Sequence, residues 1–134
     1  MFAWLRLWGL SQTSSERAMT WMAGEQGDHG GMTGRSPGAA SGSTSMLLPD
    51  GRMPGMASAT DLARLGAASG RDAEVLFLRL MVVHHRAGVV MAQAAQSRSA
   101  RPEVLVLAQS IVVAQTAEIS QMDDLLVARG SEAA

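Results

Sequence analysis

Cysteine is absent from the 134-residue chain, which excludes disulfides, thiolate metal sites and a cysteine nucleophile together. Compartment therefore cannot be read from sulfur redox. Lysine, asparagine and tyrosine are missing too, and all eleven basic residues are arginine, a bias typical of GC-rich coding. An excess of either charge is also lacking. The formal net charge is −1, so no basic field exists to steer the chain onto nucleic acid. No uninterrupted run of about 18 apolar residues occurs, so no membrane span is read. What remains is a chain with 47% hydrophobic and 17% charged residues, the balance of a globular domain. Its length suits one small domain, two at most. Methionine is conspicuous, with ten residues.

Glycine and proline are distributed unevenly. Residues 23–57 hold nine of the fourteen Gly and three of the four Pro. Such a stretch cannot bury enough apolar surface to offset the entropy of ordering it, so it reads as a flexible Gly/Ser/Met-rich linker. From residue 58 to 130 the pattern becomes helical. Thr60 is a candidate cap for a short helix ending near Ala68, with Gly70 as its left-handed exit. Asp72 is the next candidate cap, and Ser99 with Pro102 suits the start of a further helix that stops at Gly130. The expectation is an antiparallel hairpin of helices over about 72–97 and 102–129.

Seam positions follow from period. Glu74, Phe77, Met81, His84, Gly88, Met91 and Ala95 alternate by three and four in the first long helix. Val104, Ala108, Ile111, Gln115, Glu118, Met122 and Leu125 do so in the second. A hairpin pivoting near residues 99 and 100 sets His84 level with Gln115, Met81 with Glu118, Phe77 with Met122, and Gly88 with Ile111. Polar residues thus gather at one height of an apolar seam, where each unsatisfied group costs about 1–3 kcal/mol. One another, or a shared metal ion, are the available partners. Further apolar residues on the second helix, among them Leu105, Leu107, Val112, Val113, Ile119 and Leu126, require contacts on more than one side. A four-helix bundle completed by self-association, to at least a dimer, or by a further helix pair, is expected.

The stretch LMVVHHRAGVVMA followed by PEVLVLAQSIVVAQTAEISQM resembles the bacterial family catalogued as domain of unknown function 305. Met81, His84, His85, Gly88, Met91, Gln115, Glu118, Ile119 and Met122 carry the resemblance. MPGMAS, from Met53 to Ser58, is similar to the segment that leads into this domain in actinobacterial members. The resemblance covers about residues 53–130. It implies a ferritin-like all-α bundle, extracellular or in the cell envelope, with copper or another metal bound in some members and no assigned activity in most. Two departures stand out. Ala73-Glu74 replaces an aromatic-acidic pair, and Arg86 follows the His pair, where an inward-pointing charge would oppose a cation.

Residues 1–22 read as the remnant of a preceding helical repeat. Met1 to Gly9 shares Met, Leu and Gly with Met122 to Gly130 over nine positions, and Trp4 matches the apolar Leu125. Longer members of the family that it resembles carry two His-His units. Met1 is accordingly expected to be an internal or misassigned start, with a first copy and any export signal upstream.

Adjacent residues on a helix point about 100° apart, so His84 is expected in the seam and His85 on the flank. The resulting expectation is copper, or another divalent metal, held by His84, His85, Met81, Met91, Glu118, Met122 and Gln115. Thioether with imidazole favours Cu(I), and carboxylate with imidazole favours Cu(II), iron or zinc. The competing reading of the same residues is a hydrogen-bonded His–Gln–Glu cluster that fixes helix register. Linker residues His29, Met32, Met53 and Met56 form a looser candidate for copper capture. Catalysis has less support, because the Glu-x-x-His motif of di-iron bundles, a recognisable triad spacing and a phosphate loop are all missing. The functional expectation is a copper-binding helical bundle in metal handling or resistance, with a non-metal interaction module as the alternative.

Overall fold

The structure is a computed structural model that describes residues 2–11, 13 and 47–134. Positions 23–46 of the expected linker, with His29 and Met32, and positions 14–22 of the expected remnant lie outside the described residues. The described residues are all-α, without strands: α1 (Phe2–Leu7), α2 (Ala59–Ala67), α3 (Gly70–Arg98) and α4 (Pro102–Ala128). The chain divides into two units, Met1–Gly51 and Arg52–Ala134.

In the first unit, α1 stacks Trp4 beside Trp8 with ring centroids 6.1 Å apart. Its end is a Schellman closure: Gly9 takes φ +65°, its N–H donates to the Arg6 carbonyl, and Leu10 N–H donates to Leu5. The end of α4 is closed in the same way. Gly130 takes φ +61°, its N–H donates to Val127, and Ser131 N–H donates to Leu126. The helix ends at Leu5–Leu10 and Leu126–Ser131 therefore share one closure, with Leu5 in the place of Leu126.

The second unit begins at Arg52, inside the segment read as linker. Gly55 lies against α3. Its φ is +82°, and a Cβ there would come within 2.3 Å of the Ala87 Cβ. Only glycine permits both the left-handed turn and the close approach.

Ser58, not Thr60, caps α2 through a reciprocal capping box with Asp61. The Ser58 hydroxyl and amide donate to the Asp61 carboxylate at 2.6 and 3.2 Å, which holds that carboxyl below its ordinary range. Gly70 does take a positive φ, +56°, but as the first residue of α3 rather than the exit of α2, and Ser69 is the N-cap in place of Asp72. Ser99 closes α3, and its hydroxyl accepts from Arg101 N–H, while Arg101 and Pro102 open α4.

The hairpin forms as expected, but its phase and register differ from the sequence reading. The buried residues of α3 are Leu78, Val82 and Ala92, and those of α4 are Ala108 and Leu126. Phe77 is 49% exposed and Leu125 is 44% exposed, so the seam runs one residue later at these points. Contacts pair Glu74 with Arg129, His85 with Glu118, and Gly88 with Gln115. Each partner on α4 sits one helical turn further along than the expected register. The physical cause is a fit of large into small. Gln115 lies where a Cβ on Gly88 would be, 2.2 Å from its Oε1, and that notch draws α4 along.

Candidate functional site

Phase decides which histidine enters the seam. Because Leu78 and Val82 face α4, the same stripe continues to His85, and His84 turns about 100° away. The expected assignment is thereby reversed. The His85 side chain is 15% exposed, whereas His84 is exposed and its Nδ1–H donates to the Gly55 carbonyl at 3.3 Å. The two rings are 6.1 Å apart at 62°.

The seam around His85 is unusual in its polar accounting. His85 Nδ1 lies 3.1 Å from Glu118 Oε2, yet it is buried and not aligned for a hydrogen bond. Gln115 Oε1, one turn away over Gly88, is also buried and has no hydrogen-bond partner among the described residues. Unsatisfied buried groups are rare in folded proteins, and two within one turn of a hairpin call for a physical reason. Glu118 is half-exposed, so its carboxylate joins this pair to the surface.

The other expected ligands are distributed as follows. The observed register puts Met81 level with Met122, one turn from His85 toward the Glu74–Arg129 end. Both are half-buried, as is Met91. Among the described residues no three His, Asp or Glu side chains converge. Of the expected set, the structure pairs His85 with Glu118, places Gln115 one turn along over Gly88, and sets His84 apart. Arg86 points to the tail, donating to the Ala134 carbonyl, so it does not oppose a cation beside His85. Sequence reasoning missed the polar end of the hairpin, where Arg71 donates to the Arg129 carbonyl, Arg129 pairs with Glu74, and Arg79 donates to Ser131. The cluster of Arg near both helix ends was the available signal.

The described residues are those of an all-α helical-bundle protein. The chain belongs to the family described as Domain of unknown function (DUF305), whose family model matches residues 1–126. It is also similar to the crystal structure of a DUF305 protein from Streptomyces coelicolor, described as a candidate secreted protein. Identity is 34%, the TM-score is 0.71, and 99% of this chain is covered. The chain spans 65% of that protein's length. No curated protein matches the chain.

Proposed function

We propose that this chain is a metal-binding bundle protein that holds one divalent ion, copper foremost, at the seam through His85, Glu118 and Gln115. The observation that carries the reading is the pair of buried, unpartnered atoms beside a carboxylate. Two ligands about 2.1 Å from one metal, at an angle of about 90–100°, lie about 3 Å apart. The His85–Glu118 separation of 3.1 Å, off the hydrogen-bond line, fits that geometry. Gln115 Oε1, buried one turn along over Gly88, is the third donor of the proposed set. Nitrogen with oxygen donors suits Cu(II) better than the soft Cu(I) suggested by the methionines. Calorimetric titration of the protein with Cu(II) and Zn(II) tests this. One ion per chain is expected, with Cu(II) bound more tightly, as the Irving–Williams order requires. Absence of stoichiometric uptake would leave the non-metal interaction module as the better reading.

The same reading includes self-association and export. Val106, Val113 and Val127 repeat at seven-residue multiples on α4, and Val83 and Val90 do so on α3, all exposed. Both helices are long and apolar enough to cross a membrane. Arg79, His84, His85 and Arg86 along the middle of α3 make such a setting costly, so a second copy is the better cover for these faces. Sedimentation equilibrium is expected to give a dimer, and a monomer throughout the micromolar range would contradict it. The description of the Streptomyces relative as a candidate secreted protein supports export to the cell envelope or beyond.

A further inference from the structure

We propose that a groove at the Glu74–Arg129 end of the hairpin binds an oxyanion, carboxylate or phosphate, that carries a short aliphatic tail. The groove has a volume of about 690 Å³ and lies about 16 Å along α3 from His85. Three elements supply its cations: Arg64 from α2, Arg71 and Arg79 from α3, and Arg129 from the end of α4. Asp72 is the one acid among the lining residues, and Glu74 neutralises Arg129 from outside it. Asp61 acts electrostatically on Arg64 from the start of α2, so one guanidinium charge remains uncompensated.

The guanidinium groups are held in place without being used up. Arg71 donates to the Arg129 carbonyl and Arg79 to Ser131 Oγ at 2.9 Å, both neutral acceptors, so each keeps its full charge and most of its five donors. Gly130 is required for this arrangement, because a Cβ there would come within 2.7 Å of the Arg71 guanidinium. Arg71 and Asp72 belong to the first turn of α3, whose leading amides have no intrahelical acceptor and no Ser69 side-chain cap. Val75 and Leu76, half-buried, give the groove an apolar wall. Forked guanidinium donors suit an oxyanion, and the apolar wall suits a hydrocarbon tail.

Amide chemical shifts of the full chain, followed during titration with hexanoate and with hexyl phosphate, test the proposal. Saturable shifts at residues 64–79 and 129–131 are expected. Each ligand should bind at least fivefold more tightly than acetate or inorganic phosphate, and more weakly as salt is raised. The tighter of the two identifies the head group. Arg64→Ala with Arg79→Ala should lower affinity at least tenfold at unchanged helicity, while Arg98→Ala should not. If the double variant loses helicity, Arg64→Ala alone, on a residue without a packing role, is expected to lower affinity at least threefold. Equal binding of hexylammonium, shifts confined elsewhere, or unchanged affinity in the variants would overturn it.

Discussion

Leu126→Ala is expected to destabilise the folded hairpin by about 3 kcal/mol, within the 2–5 kcal/mol range of buried leucine truncations. Leu126 is 0% exposed, and only Val82 is as completely buried among the described residues. The two belong to a core of five buried hydrophobic residues, so the cavity left by three carbons has few neighbours able to close it. Since domains of this size are stable by about 5–15 kcal/mol, the loss is a large share of the total. Denaturant unfolding followed by circular dichroism measures it. Val113→Ala is the control. Val113 is 61% exposed, so its truncation should shift monomer stability by no more than about 0.5 kcal/mol and act instead on dimer dissociation. Equal effects of the two substitutions would contradict the placement of the core.

The largest functional effect is expected from His85→Ala, which should weaken Cu(II) uptake at least a hundredfold. His84→Ala should change it less than threefold. The asymmetry follows from phase alone: His85 faces Glu118 across the seam, whereas His84 donates to Gly55 on the outside. Gly88→Ala supplies an independent arm. A methyl group there displaces the Gln115 amide, the far end of a flexible side chain, and alanine improves helix propensity by about 1 kcal/mol. Folding should survive while copper affinity falls. Coordination needs neutral imidazole and ionised carboxylate, so protons compete with the ion and uptake should weaken on acidification. If His85 serves only as a structural group, the His85→Ala variant will lose stability with no change in metal uptake.

Much of this architecture was legible from local chemistry. Pro102 and Gly130 mark the ends of α4, and three-four alternation identifies two long antiparallel helices, observed as Gly70–Arg98 and Pro102–Ala128. The clustering of Gln115 and Glu118 with one histidine of the pair was also legible. Which histidine was not. A helix turns 100° per residue, so a seam begun at Glu74 and Phe77 instead of Leu78 exchanges His84 for His85. Register was out of reach for a related reason. Loop length limits the pivot only to about a turn, and the final pairing depends on the Gly88 notch receiving Gln115, a fit between side chains distant in sequence. Gly55 illustrates the same limit. Its composition reads as linker, while its positive φ and contact with Ala87 make residues 52–57 part of the helical unit.

Anomalous diffraction at the copper edge, on crystals of the Cu(II)-loaded protein, locates the ion directly. The account predicts one peak per chain between α3 and α4, about 2.0–2.2 Å from His85 Nδ1 and from a Glu118 oxygen, with Gln115 Oε1 turned toward it. A peak outside the hairpin beside His84, Met53 and Met56, or no ordered peak in protein that has taken up one equivalent, would contradict it.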